Sequence, residues 1–284
     1  MLNVVDTLPS VVTSPKPFVK WVGGKTQLLS ELIVRVPDSF SRYYEPFVGG
    51  GALFFHLQPQ RACLTDINPD LVNLYIVVRD KVEELVQDLS QHVYEKEYFY
   101  RIRGIDRTSE YEMWTDVQRA SRFIYLNKTC YNGLYRVNSK GQFNAPFGRY
   151  TNPTILDTDN LYACHAALQE TVVEVADFYS VRRRVRANDF VYFDPPYAPL
   201  SATAKFTSYT KNGFDVDMQY ALRNLCRALD KRSIRFMLSN SSAPLILDLY
   251  AEFNIEFVYA TRSINSKAGK RGKIPEVVVT NYEH

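Results

Sequence analysis

Four consecutive residues, directly after an apolar run at 190–193, have the chemistry of an amine-binding site. They are Asp194, Pro195, Pro196 and Tyr197. Because each proline fixes φ and removes a backbone N–H donor, the segment is rigid and presents a carboxylate, carbonyl oxygens and an aromatic face together. It would accept the hydrogens of an amino group held against the ring. The alternative is a simple Pro-Pro turn after a strand, although a chance match to four specified residues is rare.

A second motif, Glu-Pro-Phe-Val-Gly-Gly-Gly at 45–51, lies where a predicted strand turns into a helix. Glycines let the backbone turn tightly and approach a ligand closely. Asp66 ends the next predicted strand, where an acid commonly binds the ribose of a nucleotide cofactor. Together they predict an adenosine-type cofactor, while the turn alone would also suit a phosphate or an amino-acid group. The Gly-Lys-Thr at 24–26 is no P-loop, because Val19 stands where that motif requires glycine.

The middle of the chain combines positive charge with aromatic rings. Residues 101–150 contain nine Lys or Arg against four Asp or Glu, and residues 121–150 contain five basic residues, no acid and seven Phe or Tyr. Counterion release and base stacking make this composition suited to nucleic acid, and a solvated helix face over a local core is the alternative. Arg136 follows a predicted Asn-Gly turn and has the side chain best suited to guanine, unless a distant carboxylate pairs with it.

A basic loop is predicted near the end of the chain. Residues 261–275 carry five Lys or Arg and no acid. The loop either contacts phosphates or is a solvated charged loop.

The composition of the 284 residues is that of an ordinary globular protein, with 46% hydrophobic and 23% charged residues. It excludes a disordered chain, a collagen and a coiled coil, and no apolar run is long enough for a transmembrane helix. The four cysteines and four histidines form no C-x-x-C or H-E-x-x-H pattern, so we expect no metal and no disulfide framework. A reducing, cytoplasmic setting follows from the same pattern.

Short apolar runs alternate with helical patterns at both ends of the chain. The predicted strands are 43–47, 62–66, 171–175, 190–193, 234–239, 255–259 and 277–281. This alternation predicts an α/β fold whose sheet is mostly parallel, and the last two strands, joined by a loop without helical period, predict a hairpin with one antiparallel strand. Helical periods over 79–127 predict a helical insert at about 76–160, within a domain made of 1–75 and 161–284.

Six motifs occur in one order along the chain: KWVGGK at 20–25, EPFVGGG at 45–51, DIN at 66–68, YNGLYR at 131–136, FNAPFGRY at 143–150 and DPPYAPLSATAKFTSY at 194–209. In these motifs the chain resembles the Dam-type DNA adenine-N6 methyltransferases, in the motif order of the α class of amino-methyltransferases. YRVNSKGQFN and the ending VVVTNYE resemble the restriction-partner GATC methylases within that family. The resemblance implies a Rossmann-like, S-adenosylmethionine-dependent catalytic domain with a helical target-recognition insert.

The resemblance also implies roles for individual residues. Cofactor contacts are implied at Trp21, Lys25, Asp66, Asp177, Phe178 and Asp194, and the glycine turn adds Phe47, Gly49 and Gly51 to the predicted cofactor site. Lys20 and Arg136 match positions that read guanines, while Tyr131, Asn132, Leu134, Pro146 and Tyr150 match positions that contact or intercalate near the target base. No metal is implied.

The implied reaction transfers a methyl group to N6 of adenine in duplex GATC, with S-adenosylhomocysteine as the product, after the base is flipped out of the helix. The Asp194 carboxylate and the Pro195 carbonyl would accept the N6 hydrogens, and the Tyr197 ring would stack on the base. We expect a monomer that acts on double-stranded DNA and not at a membrane, with a cognate restriction endonuclease as a partner. Its expected location is the cytoplasm, as a bacterial, phage or nucleoid-associated protein. The alternatives are methylation of RNA or a protein amide, and a DNA-binding module without turnover.

Overall fold

The computed structural model describes residues 14–200, 214–260 and 274–284. Seven strands form one sheet in the order β3-β2-β1-β4-β5-β7-β6. They are β1 (Tyr43–Glu45), β2 (Ala62–Asp66), β3 (Thr171–Val175), β4 (Phe190–Phe193), β5 (Arg235–Ser241), β6 (Asn254–Ala260) and β7 (Ile274–Thr280). Strand β7 is antiparallel to both of its neighbours, and the pairs among β1–β5 are parallel. The predicted sheet, mostly parallel with one reversed strand, is confirmed.

The ends of three strands differ from the predicted ends by two or three residues. The strand predicted over 43–47 ends at Glu45, because Pro46 has no N–H to continue the ladder. Strand β5 runs on to Ser241 instead of stopping at 239, because β7 pairs with it as far as that residue. The hairpin partner begins at Ile274, three residues before the predicted start.

Ten α-helices accompany the sheet in the described residues: α1 (Leu29–Ile33), α2 (Ala52–Leu57), α3 (Pro69–Asp80), α4 (Val82–Leu89), α5 (Lys96–Gly104), α6 (Asp116–Thr129), α7 (Thr158–Leu168), α8 (Val181–Arg184), α9 (Val216–Asp230) and α10 (Pro244–Leu249). Side chains alternate across a strand, so neighbouring residues of β1 enter different cores. Tyr43 packs with α2, α3 and α7, while Tyr44 packs with α9 and α10. Both faces of the sheet are therefore covered. None of the helices in the described part of the chain combines the length and apolar character needed to cross a bilayer.

Helices α3 to α7 lie between β2 and β3 in the chain. The boundary predicted near residue 76 falls inside α3, and Val77 and Val82 share a buried core with Leu64 of β2. A smaller core gathers residues of α5, α6 and the segment after α6. The helices predicted between the two parts of the sheet are thus present, and a division at 76–160 stays a prediction.

The strand order reverses between β1 and β4. Strands β2 and β3 are added in turn on one side of β1. Strand β4 then pairs with the other side of β1, and β5 is added next to β4. In open parallel sheets, ligands bind beyond the carboxyl ends of the strands at such a reversal. The glycine turn after β1 and Asp194 after β4 both lie at this point.

Candidate active site

Asp194 leaves the end of β4 and forms an ion pair with Lys25. The Lys25 Nζ is 2.6 Å from Asp194 Oδ1, and the lysine is buried. It also donates to the Gly23 carbonyl at 2.7 Å and lies 4.6 Å from the centre of the Tyr197 ring. Burial raises the pKa of Asp194, and the positive charge of Lys25 opposes that rise. Lys25 was predicted to contact the cofactor, and in the structure it binds the carboxylate of Asp194, the first residue of the predicted amine-binding segment.

Side chains from two other elements hold the proline segment. Since Pro195 and Pro196 have no N–H, the backbone cannot anchor itself there by donation. The Gln219 side chain on α9 donates to the Pro196 carbonyl at 3.0 Å, and the Asn240 side chain on β5 accepts from the N–H of Ala198 at 3.0 Å. Both amides are fully buried. They are positioning groups without a local sequence signal.

The hydroxyl of Tyr197 has a buried partner on β7. It donates to Oε2 of Glu276 at 2.8 Å, and Glu276 is 8% exposed. Burial, followed by the neighbouring carboxylates, raises the pKa of the Tyr197 phenol well above its ordinary value, so the phenol remains a donor.

The turn after β1 needs glycine at two positions. Gly49 and Gly51 have φ of +47° and +64°, a region that side chains rarely adopt. A Cβ at Gly49 would lie 2.6 Å from an indole carbon of Trp21, and one at Gly51 would lie 2.6 Å from the Tyr75 hydroxyl. Glycine is therefore required at these two positions because the side chains of Trp21 and Tyr75 leave no room for a Cβ atom. Trp21 is packed between this turn and the rings of the helical segment, stacking on Tyr135 at 5.6 Å.

Asp66 is tied to the glycine turn at the end of β2. Its two carboxylate oxygens accept from the N–H groups of Gly49, at 3.3 Å, and Asn68, at 2.9 Å. Burial raises the pKa of Asp66, and these N–H donors oppose the rise. A partly exposed acceptor pair at this place fits the hydroxyl groups of a ribose.

Aromatic rings lie beside the ends of β1 and β3. Phe47 and Phe178 stack with centroids 5.5 Å apart, and the Asp177 side chain caps the short turn after β3 by accepting from the N–H of Ser180 at 3.2 Å. Ile67, directly after Asp66, is 66% exposed and was not singled out from the sequence. Apolar side chains next to carboxylates suit a nucleoside, so the residues present fit the adenosine part of S-adenosylmethionine.

One buried amide joins two distant segments with predicted DNA contacts. Asn127, on α6, accepts from the N–H of Lys20 at 2.8 Å and donates to the carbonyls of Lys20, at 2.8 Å, and Gly133, at 3.0 Å. It is fully buried. The structure thereby brings Lys20 beside the turn formed by residues 131–133, and the Lys20 Nζ lies 4.8 Å from the centre of the Tyr150 ring.

The remaining predicted DNA contacts surround the same turn. Tyr131 is 57% exposed and donates its N–H to the carbonyl of Pro146 at 2.8 Å. Asn132 has a φ of +57° and is exposed, as is Pro146, whereas Leu134 is half-buried. The Tyr150 hydroxyl donates to the Cys130 carbonyl at 3.0 Å. These side chains form one patch, called here the turn surface: Lys20, Tyr131, Asn132, Leu134, Pro146 and Tyr150.

Arg136 is exposed and is held by a single asparagine. Its Nε donates to Asn144 Oδ1 at 2.6 Å, and one terminal nitrogen donates to the Asn144 carbonyl at 3.1 Å. Among the described residues it forms no ion pair with a carboxylate, the alternative considered from the sequence. The edge formed by its two terminal nitrogens retains free hydrogens, which is the geometry that guanine O6 and N7 require.

Residues 21–264 match the family model of the D12 class N6 adenine-specific DNA methyltransferases. The chain belongs to this family. It is 45% identical to the type II methyltransferase M1.LlaDCHI of Lactococcus lactis subsp. cremoris, over 94% of this chain and 95% of the relative. It is 44% identical to the type II methyltransferase M.MjaIII of Methanocaldococcus jannaschii, over 94% and 99%. The DNA adenine methylase of Escherichia coli K12 is 35% identical, over 93% and 94%.

The resemblance drawn from the motifs is thus confirmed, and the protein is an adenine-specific DNA methyltransferase. The roles of individual residues in this methyltransferase stay predictions. The basic loop at 261–275 falls almost wholly outside the described residues, as does the end of the motif at 194–209. Within the residues that are described, no group of three or more His, Cys, Asp or Glu side chains could hold a metal ion.

Proposed function

We propose that this methyltransferase transfers a methyl group from S-adenosylmethionine to N6 of adenine in the sequence GATC of double-stranded DNA, after the base has left the helix. The observation that supports this most is the segment of residues 20–25. The Lys20 ammonium lies over the Tyr150 ring within the turn surface, Trp21 packs on the glycine turn, and Lys25 pairs with Asp194. Three side chains within six consecutive residues therefore belong to the predicted DNA, cofactor and amine sites.

The amine is activated by acceptors that the chain already holds in place. N6 of adenine is a poor nucleophile because its lone pair is delocalised into the ring. Lys25 engages Oδ1 of Asp194, so Oδ2 would accept one N6–H and the Pro195 carbonyl the other. These hydrogen bonds favour a tetrahedral nitrogen and free its lone pair. The positive charge of Lys25 opposes the rise in the Asp194 pKa that burial causes, and so favours the ionised carboxylate, which is the stronger acceptor.

The cofactor would be held beside this segment by Trp21, the glycine turn, Asp66, Asp177 and Phe178. When bound, S-adenosylmethionine supplies a methyl group that its sulfonium has already activated, so the chain needs to align the two reactants rather than to activate the donor. Alignment in near-attack geometry can account for much of the acceleration.

Taking the base out of the helix costs a few kcal/mol. The exposed ring of Tyr131 would offset part of that cost by stacking in the space that the base leaves. In the site, the Tyr197 ring would stack on the base. Arg136 and Lys20 would read the guanines of GATC, in keeping with the YRVNSKGQFN motif that resembles the GATC methylases.

Two of the relatives are named type II methyltransferases, which belong to restriction–modification systems. By extension, we propose that this protein works as a monomer in the cytoplasm and protects DNA from an endonuclease that cuts the same sequence. A single turn surface and a single amine site on one chain are sufficient for methylation of one strand at a time.

The test is methyl transfer from labelled S-adenosylmethionine to two duplexes that differ only in having GATC or GTTC. We expect label on adenine N6 of the first duplex only. Equal label on both would refute GATC recognition, and label on neither, with cofactor binding intact, would refute the substrate and direct the search to RNA or protein amides. Asp194→Ala should abolish label at GATC while retaining the fold by circular dichroism.

The specificity assignment has its own control. Arg136→Ala should retain chemistry but lose about 1–3 kcal/mol of discrimination against duplexes altered at one guanine. Arg223→Ala, on the outer part of α9, removes an arginine without touching the turn surface and should leave discrimination unchanged. Equal discrimination by the two variants would show that Arg136 does not read the site.

A further inference from the structure

Glu276 is a buried carboxylate that the chemistry above does not use. It accepts a hydrogen bond from the Tyr197 hydroxyl at 2.8 Å. We propose that Glu276 is a positioning residue for methyl transfer: it fixes the Tyr197 ring against the substrate amine and increases the attraction of that ring for positive charge. This inference rests on the proposed stacking of adenine on Tyr197.

The position of the Glu276 backbone is set by the sheet. It lies on β7, paired with Ser241 of β5 on one side and with Val258 of β6 on the other. The Ser242 hydroxyl donates to the carbonyl of Pro275, the residue before it, at 2.8 Å. Two neighbouring strands hold the backbone of Glu276, and its side chain is buried at 8% exposure, so the hydroxyl of Tyr197 is bound to a carboxylate with little freedom to move.

The backbone end of Tyr197 is held as well. The carbonyl of the preceding residue, Pro196, accepts a hydrogen bond from Gln219. In the following residue, Ala198, the N–H donates to the Asn240 side chain and the carbonyl accepts from the Ser241 hydroxyl. With its main chain and its hydroxyl both fixed, the ring cannot swing away when a base arrives. The Tyr197 side chain is therefore already ordered before DNA binds, which reduces the entropy lost when the base stacks on its ring.

The ring face already attracts a cation in the structure. The Lys25 ammonium lies 4.6 Å from the ring centre, within the range of a cation–π contact. A phenol that donates to a carboxylate shifts electron density toward its ring, and this strengthens such a contact. The same property would serve the reaction, because positive charge appears on the nitrogen next to the ring as the methyl group is transferred.

The charge movement can be followed atom by atom. The N6 lone pair forms the new N–CH₃ bond, and the S–CH₃ bond breaks with its electron pair remaining on sulfur. The positive charge thereby passes from the sulfonium to N6, and it disappears when N6 releases a proton to the Asp194 carboxylate. An electron-rich Tyr197 ring would stabilise N6 most while the charge is there, so Glu276 should affect the transfer rate more than binding.

The test is a double-mutant cycle on single-turnover methyl transfer, with cofactor and duplex both saturating. Glu276→Ala and Tyr197→Phe should each lower the rate by about tenfold, the loss of one hydrogen bond to a charged group, and the double variant should be no slower than either. Glu276→Gln keeps an acceptor without the charge and should be intermediate. The dissociation constant for S-adenosylmethionine should change less than twofold throughout. Glu256→Gln, on β6 and paired with Arg35, is the matched control and should transfer at the normal rate.

Additive losses in the double variant would overturn the proposal, because Glu276 would then act without the phenol. So would a normal rate for Glu276→Ala. If Glu276→Ala unfolds at a lower temperature, Tyr197→Phe and Glu276→Gln still decide the matter. The cycle is run on whichever duplex the unaltered enzyme methylates, so failure at GATC refutes the proposed sequence specificity and leaves the test of Glu276 separate.

Discussion

Replacing Asn127 by alanine should both destabilise the fold and loosen DNA recognition. The side chain makes three hydrogen bonds to main-chain groups of Lys20 and Gly133, across 107 residues of sequence in the case of Lys20. Alanine would leave one N–H and two carbonyls without these partners at a place that is largely buried. At the lower end of the cost of an unsatisfied group, the three together amount to about 3 kcal/mol. That is a large share of the roughly 5–15 kcal/mol that stabilises a typical protein.

Urea unfolding measures this loss directly. Asn224→Ala is the matched control, since Asn224 is exposed on α9 and should change the free energy of unfolding by no more than about 0.5 kcal/mol. At a urea concentration where Asn127→Ala remains folded, its discrimination between GATC and duplexes altered at one guanine should also fall, because Lys20 is no longer tied through Asn127 to the turn at residues 131–133. A loss of less than about 1 kcal/mol would refute the reasoning, since water would then satisfy the three groups as well as the amide does.

Three further outcomes follow from the geometry. Gly49→Ala should weaken S-adenosylmethionine binding in calorimetry far more than Gly141→Ala, which has a similar positive φ of +75° but open space around it; equal affinities would refute the crowding argument. Burial raises the pKa of Glu45 to about 8, so the folded protein holds a proton that the unfolded chain loses above about 4.5. Stability should thus fall as pH rises through this interval, and Glu45→Gln should flatten that slope in unfolding measured from pH 5 to 9. Asp106→Ala, which leaves the buried Arg122 without its partner at 2.8 Å, should lower the free energy of unfolding by about 3–5 kcal/mol, and a change below 1 kcal/mol would contradict the burial of that charge.

The strand pattern could be predicted because it is local. Strands β2 to β4 are largely apolar runs, and prolines follow two of the first four strands: Pro46 ends β1, and Pro195 follows Asp194 after β4. Alternation of these runs with helices leaves few topologies, and parallel strands place their carboxyl ends on one edge. For this reason Asp66 and Asp194, each predicted from the sequence at the end of a strand, lie on the same edge of the sheet.

The local structure of the turn surface was predicted in part. The turn at 132–133 and the exposure of Tyr131 agree with the expectation from Asn-Gly and the acid-free segment around it. The contact between Lys20 and this turn could not be predicted from the sequence, because it depends on Asn127. Nothing in the sequence distinguishes Asn127 from other polar residues on a helix such as α6. Arg136 was predicted to follow a turn and to suit guanine, but its hydrogen bond to Asn144 joins positions eight residues apart and has no local signal in the sequence.

The sequence by itself determined the family, the order of the strands along the chain and the residues that end them, since motifs and periodicity are properties of neighbouring positions. Tertiary structure alone decided that Lys25 reaches Asp194 and that Glu276 reaches Tyr197. Each of these contacts joins segments that meet only after the sheet has formed. A charged or amide side chain carries no sign of its distant partner, because its partner is chosen by the packing of strands and helices between them.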